Sequence, residues 1–370
     1  MAVTDDVVLV DQHCHGVLVT DVTAEEFAAG LTEADTAGRP DRWRSMLGLA
    51  VRRWCAPVLD LPAHATPAEY LARRNDLGWR EVTRRLLRAA GVGHWFVDTG
   101  YATDTSPTEL ADLGGGTGHE VLRVEQVLED TTAGSATELL DRVGAALRAS
   151  AAVAFKSVVG YRGGLGLPAR RPSERDTRQA AERWLRGGTR LTDPVLHAWL
   201  VHEAATVGAE TGRALQFHTG FGDADLHLHR ADPLALTDFL RARRDVDVVL
   251  LHCWPYHRGA AYLAHVFDTV SVDLGLMVPF AGARTGAVIA ETLELAPFES
   301  VRYSSDGNLL PEIHHLGAVL WRHHLGRLLD EWIGDGVLTA ADAERLAHDV
   351  GGGNALRSAP HLLGDLDDQR

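Results

Sequence analysis

Residues 151–159 read Ala-Ala-Val-Ala-Phe-Lys-Ser-Val-Val, an apolar run with one charged side chain. The run predicts a buried β-strand, because short apolar segments without alternation are typical of strands that are covered on both faces. Lys156 is the only lysine in a chain of 370 residues that contains 36 lysines and arginines. A buried lysine can lose its proton and react, whereas arginine stays protonated. We therefore expect Lys156 to have a chemical role.

Short apolar segments recur along the chain, and longer stretches with helical character separate most of them. The eight predicted strands are Val7–Val10, His94–Val97, Val121–Val127, Val153–Val159, Leu215–His218, Val246–His252, Thr269–Leu274 and Val301–Ser304. The clearest helical stretches between them are 135–149, 193–211, 232–244, 256–267 and 285–295. Alternation of strands and helices favours an α/β fold with a parallel sheet, and eight such units favour a (β/α)8 TIM barrel.

Two regions depart from this alternation. Residues 21–90 are about twice as long as one crossover helix requires, and they predict a helical insertion after the first strand, with helical stretches around 24–30, 42–55 and 68–89. Residues 161–192 are rich in Arg, Gly and Pro and predict a long loop after the fourth strand. Residues 311–361 contain closing helices at 311–332 and 339–350. We expect a single domain over 1–370.

Composition excludes several classes of partner. The net charge of −15 argues against nucleic acid and anionic membranes. No apolar run approaches 18 residues, so we expect no membrane span. The N-terminus lacks the pattern of a signal peptide, and three unpatterned cysteines fit a reducing compartment. We expect a cytoplasmic protein that forms a homo-oligomer.

The first predicted strand ends in two histidines, His13 and His15, within Asp-Gln-His-Cys-His-Gly. Side chains at i and i+2 of a strand share one face, so the two imidazoles point together and Cys14 points away. Two imidazoles on one face, followed by a glycine turn, suit the start of a metal site.

Four more residues stand where predicted strands end. Lys156 ends strand 4, His218 ends strand 5, His252 ends strand 6, and Asp306 follows strand 8. The carboxyl ends of the strands form the face on which barrel enzymes build their active sites. Each residue alone has an ordinary structural explanation, but their coincidence at one rim predicts a shared site.

This set resembles the amidohydrolase superfamily of metal-dependent hydrolases. The segments 217–223 (Phe-His-Thr-Gly-Phe-Gly-Asp), 161–165 (Tyr-Arg-Gly-Gly-Leu) and 353–357 (Gly-Asn-Ala-Leu-Arg) are similar to the amidohydrolase-2 group. Within that group they look closest to the amidohydrolase domain of FluG-type proteins. The resemblance covers most of the chain, and it implies the chemistry better than the substrate.

The resemblance implies a divalent metal site. The implied ligands are His13, His15, Lys156, His218, His252 and Asp306, whose nitrogen and oxygen atoms suit Zn²⁺ and also Mn²⁺ or Fe²⁺. In related enzymes the lysine carries a CO₂-derived carbamate that bridges two metals. His13, His15 and Asp306 would then hold the first metal, and His218 and His252 the second. Asp306 would be the catalytic residue, exchanging protons with a metal-bridging hydroxide.

Residues around the predicted centre are candidates for substrate binding. Tyr161 and Arg162 follow strand 4, and Arg162 could bind a carboxylate or pair with a structural acid instead. Trp254 and His257 follow strand 6 and are further candidates, although packing is an alternative for Trp254.

Asp98, at the end of strand 2, and Glu125, at the predicted end of strand 3, could orient metal-bound histidines. Six other histidines are expected on the solvent-facing surfaces of loops or helices: His227, His229, His314, His315, His323 and His324.

Several activities are compatible with this site. We expect hydrolysis of an amide or related C–N bond in a small carboxylate-bearing metabolite, by one or two metals. A one-metal, non-oxidative decarboxylase of an aromatic or unsaturated acid is the alternative, favoured if Lys156 stays an unmodified amine. A lactone or phosphoester hydrolase is also compatible. A barrel without metal that serves as a scaffold or binding module is the last alternative, but it would be expected to have lost ligands, and none of the six is missing from the sequence.

Overall fold

The computed structural model describes residues 3–35, 41–101, 104–359 and residue 362. Within these ranges, seven strands form one parallel sheet in which each strand pairs with the next in sequence. They are β1 (Leu9–Cys14), β2 (Val92–Asp98), β3 (Thr117–Arg123), β4 (Ala154–Ser157), β5 (Ala214–His218), β6 (Val248–Leu251) and β7 (Val270–Val272). Strands β1, β4, β5, β6 and β7 are buried throughout, as expected of a sheet that is covered on both faces.

The segment after β7 closes the sheet into a barrel. The Arg302 backbone N–H donates to the Val272 carbonyl of β7 at 2.9 Å, and the Asp306 N–H donates to the His13 carbonyl of β1 at 3.0 Å. The predicted eighth strand, Val301–Ser304, is therefore confirmed in its position between β7 and β1. Its pairing is irregular, because isolated β-bridges, rather than a continuous ladder, join this segment to its neighbours. The predicted TIM-barrel fold class is confirmed.

Helices alternate with the strands and cover the sheet. In chain order they are α1 (Ala24–Ala29), α2 (Met46–Ala50), α3 (Ala56–Val58), α4 (Pro67–Leu77), α5 (Trp79–Ala90), α6 (Pro107–Gly114), α7 (Val124–Asp130), α8 (Ala136–Ala149), α9 (Val159–Arg162), α10 (Glu174–Trp184), α11 (Pro194–Thr211), α12 (Thr237–Ala242), α13 (His257–Val266), α14 (Met277–Ala281), α15 (Thr285–Leu293), α16 (Pro311–Gly334), α17 (Ala340–His348) and α18 (Asn354–Arg357). Among the described residues, no helix combines the length and apolar composition that a membrane span requires.

The region between β1 and β2 contains α1 to α5, in agreement with the predicted helical insertion. Its aromatic residues pack together, with the Phe27 and Trp43 rings stacked 5.1 Å apart. A buried ion pair joins the insertion to α16, because Arg74 Nε lies 3.0 Å from Glu312 Oε1. Gly30 packs so closely on Leu310 that an added Cβ would lie 2.5 Å from its side chain. These contacts fix the insertion beside the carboxyl end of the barrel.

Three boundaries differ from the sequence predictions. The predicted strand Val121–Val127 is in fact the end of β3 followed by α7, so Glu125 lies in the first turn of a helix. The predicted loop over 161–192 contains the helix α10, which begins with Ser173 as its cap. The helical stretch after residue 67 is divided at Gly78, whose φ of 73° is in the left-handed region.

Candidate metal centre

The two histidines of β1 meet the carboxylate that follows the eighth strand position. Asp306 Oδ1 lies 3.3 Å from His13 Nε2 and 3.4 Å from His15 Nε2. All three residues are buried. Alternation along β1 directs the two imidazoles to one side, while the Cys14 thiol donates to the Phe96 carbonyl. The sequence-based pairing of His13 with His15, and the outward direction of Cys14, match this geometry.

Lys156 reaches the same point from β4. Its side chain is 2% exposed, and Nζ lies 3.0 Å from His13 Nε2. Burial lowers the pKa of the amine to about 8, although Asp98 and Asp306 oppose the shift. A substantial minority of the amine is therefore neutral near physiological pH, which is the form that reacts with electrophiles.

His218 and His252 complete the cluster from β5 and the loop after β6. Their ring centroids are 4.5 Å apart, and His252 Nε2 lies 3.7 Å from Asp306 Oδ2. Both Nε2 atoms are buried and have no hydrogen-bond partner among the described residues. Burying a polar atom without a hydrogen-bond partner costs free energy. Two such nitrogen atoms in neighbouring imidazoles therefore indicate that they bind a ligand. The donor set of imidazole nitrogens, a carboxylate and an amine fits a divalent transition metal.

The protonation states also fit metal ligation, which requires neutral imidazoles and an ionised carboxylate. Burial, with the Lys156 ammonium as a second cause, lowers the pKa of His13 to about 4. Burial likewise lowers the pKa of His252 to about 3 and that of His218 well below its usual value. For Asp306, burial alone would raise the pKa, but the surrounding histidines lower it well below the usual range.

Two of the clustered residues have strained backbones. His252 has a φ of 67° and Asp306 a φ of 49°, both in the left-handed region that non-glycine residues rarely adopt. Such conformations cost about 1–3 kcal/mol and concentrate at functional sites. Both side chains converge on His13, because ligand atoms of the three residues lie within 4.8 Å of one another.

Buried groups behind the cluster orient its imidazoles. His13 Nδ1 lies 2.8 Å from the Gln216 side-chain oxygen, and His15 Nδ1 lies 3.1 Å from the Asp98 carbonyl. The Asp273 carboxylate accepts the His252 backbone N–H at 2.7 Å. Sequence reasoning missed Gln216 and Asp273. Gln216 precedes His218 by two residues on β5 and so shares its face, which is a signal that the sequence did contain.

The two residues predicted to orient histidines behave differently. Asp98 bonds His15 through its backbone carbonyl, while its carboxylate pairs with Arg123 at 2.7 Å. The contacts of Glu125 do not include a clustered histidine. Because Glu125 is helical, its carboxylate accepts hydrogen bonds from the Ser157 hydroxyl and the Val158 N–H and pairs with His197. It therefore fixes the end of β4 beside Lys156.

A cavity of about 510 Å³ opens above the cluster. The clustered residues that line it are His15, Lys156, His218 and Asp306. Of the predicted substrate residues, Tyr161 and Arg162 also line it. The Tyr161 ring packs 4.5 Å from the His218 ring. Arg162 pairs with Glu129 at 3.1 Å, in agreement with the alternative that it pairs with a structural acid. It nevertheless lies on the cavity wall.

The described lining of the cavity does not include Trp254 or His257. Trp254 packs edge-to-face on Phe221, with ring centroids 6.0 Å apart. His257 is directed towards α15, where its Nε2 lies 2.7 Å from a Glu291 carboxylate oxygen. Packing, rather than substrate contact, describes what these two residues do in this structure.

The predicted surface position of two histidines on α16 is wrong. His314 and His315 are buried, at 0% and 4% exposure, because α16 packs against α5 and α15. The His314 ring contacts Gly307, where an added Cβ would lie 2.3 Å away, so it supports the loop that carries Asp306. His227 and His229 are exposed, as expected, and His323 and His324 are partly exposed.

Comparison with known proteins decides the family. A family model for amidohydrolases matches residues 106–358, which is more than half of the chain. The chain belongs to the amidohydrolase family. The matched range contains Lys156, His218, His252 and Asp306, whereas His13 lies before it.

Relatives of this amidohydrolase include protein FluG of Emericella nidulans, which is 32% identical over 214 residues. That match covers 54% of the chain and 24% of FluG, so the chain matches about a quarter of the length of this relative. A proposed metal-dependent hydrolase from Lactobacillus casei has a similar structure, with a TM-score of 0.85 and 26% identity over 97% of the chain and 96% of that protein. Uronate isomerase from Thermotoga maritima shares the fold, with a TM-score of 0.64 and 14% identity over 96% and 95% of the two chains.

Proposed function

We propose that this amidohydrolase is a metal-dependent hydrolase that cleaves an amide or related C–N bond of a small, carboxylate-bearing molecule. The family and the L. casei neighbour support metal-dependent chemistry in general. The observation that carries the proposal is one cluster of ligand-type side chains next to a cavity of substrate size. Its members are His13, His15, Lys156, His218, His252 and Asp306.

The cluster divides naturally into two sets of ligands. His13 and His15 approach one oxygen of Asp306, and His252 approaches the other oxygen from the side of His218. We assign the first set to one metal ion and His218 with His252 to a second. A divalent ion bound there supplies Lewis acidity towards a substrate carbonyl and acidifies water.

Lys156 is suited to carry a carbamate. Its neutral amine, present because burial lowers the pKa to about 8, attacks CO₂, forms an N–C bond and releases one proton. The product is an anionic oxygen ligand in place of a cation beside His13. Arginine cannot form this adduct, because its guanidinium stays protonated. The use of lysine here, in a chain that otherwise uses arginine, supports the assignment.

Asp306 is the proposed proton carrier. Its carboxylate is ionised and buried between three imidazoles, at the border of the cavity. In this position it accepts the proton of the attacking water and delivers it to the leaving nitrogen, so that the amine departs neutral. Tyr161 borders the same space and can orient the substrate through its hydroxyl.

Metal content measured with and without Lys156→Arg tests the proposal. Wild-type protein should bind about two metal ions per chain, and the variant one or none. His257→Gln is the matched control, because it removes a buried histidine outside the cluster. A panel of N-acyl and γ-glutamyl amides should show metal-dependent release of amine. Two unaffected metal ions in Lys156→Arg would refute the bridging role, and the absence of metal from all variants would refute the function.

A one-metal decarboxylase of aromatic or unsaturated acids is the second candidate. Ligand atoms of His13, His252 and Asp306 all lie within 4.8 Å of one another, which is sufficient for a single ion without Lys156. This candidate predicts one metal per chain, no change on Lys156→Arg, and release of CO₂ from a carboxylated aromatic acid without release of amine.

A further inference from the structure

The walls of the cavity carry two groups of like-charged side chains. One, the arginine group, consists of Arg123, Arg162 and Arg190. The other, the acidic group, consists of Glu33, Asp35 and Asp223. Lys156, His218 and Asp306 border the same cavity, so both groups share their space with the proposed metal centre. Neither group belongs to the metal-binding cluster.

The arginine group is held in place while retaining free donors. Arg162 lines the cavity with Arg123 and Arg190, and its side chain is 12% exposed. Burial, together with the charges of the other two arginines, lowers its pKa. Its only ion pair among the described residues is the 3.1 Å contact between Nη1 and Glu129. A guanidinium has five N–H donors, so most of those on Arg162 remain for a ligand.

The other two members of the arginine group are also anchored at one edge. Arg123 is fixed by Asp98 at 2.7 Å, and Arg190 contacts Asp225 at 3.2 Å. Three guanidiniums oriented by carboxylates at the cavity wall suit a planar anion such as a carboxylate.

The acidic group forms no close ion pair with a cation among the described residues. Within the described part of the chain, neither Glu33 nor Asp223 has an ion pair within 4.0 Å, although Arg190 attracts Asp223 from a distance. Burial, with the charges of Asp306 and Asp223 as smaller causes, raises the pKa of Glu33 to about 7. Burial also raises the pKa of Asp223, with contributions from Asp225 and Asp35.

One imidazole of the proposed metal centre faces the same cavity. His218 is 6% exposed, borders the cavity, and has an Nε2 atom with no partner among the described residues. Carboxylates that repel one another beside such a site are stabilised by a cation, and the arginines beside them by an anion.

We propose that the substrate carries both an ammonium group and a carboxylate, the ammonium bound by Glu33 and Asp223 and the carboxylate bound by Arg162 with Arg190 and Arg123. The substrate class is therefore an amide of an amino acid whose free α-amino and α-carboxylate groups occupy the cavity wall. This inference rests on the proposed function only in placing the scissile amide at the metal centre. A substrate without the amine would leave the acidic group unneutralised.

Binding of matched probes to the metal-loaded protein tests the inference by calorimetry. L-Glutamate carries both charged groups, glutarate lacks the amine, and 4-aminobutyrate lacks the α-carboxylate. L-Aspartate, succinate and β-alanine form the same series with one methylene fewer. In at least one series, loss of either group should weaken binding to the wild-type protein by about tenfold or more, as expected for a lost charge pair in a partly enclosed site.

Variants assign the effect to the side chains and exclude chelation by the probe. In the double variant Glu33→Gln/Asp223→Asn, the preference for the amino acid over the dicarboxylate should disappear. In Arg162→Gln, the preference for the amino acid over the compound without an α-carboxylate should fall. Glu174→Gln is the matched control, because it removes a negative charge from an exposed helix remote from the cavity lining.

Two results would overturn the inference. One is equal binding of the dicarboxylates and amino acids, or no binding by any of the six probes. The other is an amino-acid preference that survives in the double variant, since the metal alone would then explain it. The measurement needs no turnover. Probe discrimination without any amide hydrolysis would count against the proposed function alone, and efficient hydrolysis of amides lacking the amine would count against this inference alone.

Discussion

Lys156 Nζ lies 3.0 Å from His13 Nε2, the nitrogen that also approaches Asp306. An ammonium at this point would compete with a metal ion, whereas a carbamate would contribute ligand oxygens. Because Lys156 is the only lysine, a carbamate on a lysine side chain can form at no other residue of this chain. Metal-loaded protein incubated with ¹³C-bicarbonate should show one ¹³C carbamate resonance that is absent from Lys156→Arg.

The carbamate signal should also depend on pH. The pKa of about 8 means that the neutral amine grows about tenfold per pH unit as pH rises towards that value. Reconstitution at pH 8 should therefore be faster than at pH 6.5. A resonance that persists in Lys156→Arg would come from the N-terminal amine and would count against the assignment.

Gln216 should control metal affinity without binding the metal. Its side-chain oxygen, 2.8 Å from His13 Nδ1, fixes the tautomer that leaves Nε2 free for a cation. Gln216→Leu should lower metal affinity by about 10- to 100-fold, as measured by competition with a fluorescent chelator. Gln216→Glu, which keeps an acceptor at that position, should recover much of the loss. The exposed Gln126→Leu is the control, and equal losses in the Leu and Glu variants would contradict the role.

The sequence was most informative where the barrel repeats. Residues such as His218 and His252 could be placed because each ends an apolar run, and parallel strands bring their carboxyl ends to one rim. Asp306 could be placed although its strand is irregular, because the alternating pattern requires a strand between β7 and β1. The family resemblance then supplied the expected role of each residue.

Side-chain partners depend on packing between distant segments and were harder to predict. The apolar pattern of Val121–Val127 predicts a strand that places Glu125 near its end. The chain instead turns into a helix at Val124 and presents the carboxylate to β4. The local sequence predicts a helix-surface position for His314, because the residues that bury it come from other parts of the fold. No sequence pattern marks Glu33 as a site residue, since only the folded insertion brings it to the cavity.

Gly222 should be essential for the shape of the site. A Cβ at this position would lie 2.1 Å from the Tyr161 hydroxyl and 2.9 Å from His218 Nε2. Gly222→Ala should therefore displace both rings and reduce kcat/KM by about tenfold or more, since displacements of about 1 Å can cost a hundredfold. In a Tyr161→Phe background, Gly222→Ala should cost less activity than it costs in the wild type. The reason is that Tyr161→Phe removes the hydroxyl oxygen, which is the atom nearest to the added Cβ. Gly166→Ala, at a position with no neighbouring atom within 4 Å, should be neutral.

His314 should make the folded state sensitive to acid. Burial lowers its pKa to about 3, against 6.5 for an exposed histidine, so the native protein leaves it neutral where the unfolded chain takes up a proton. Between pH 6.5 and about 3 the unfolded state binds more protons, and the free energy of unfolding falls as pH falls. One such group contributes at most about 1.4 kcal/mol per pH unit.

Replacing His314 with Leu should remove this contribution, even where the different shape of the leucine side chain lowers stability at every pH. Urea unfolding of wild type and His314→Leu at pH 7 and pH 5 should show the wild type losing about 1–2 kcal/mol more than the variant over that interval. His229→Leu, which alters an exposed histidine, should leave the wild-type slope unchanged. Parallel slopes for wild type and His314→Leu would mean that His314 takes up its proton in the native state, through a local opening of the loop that holds Asp306.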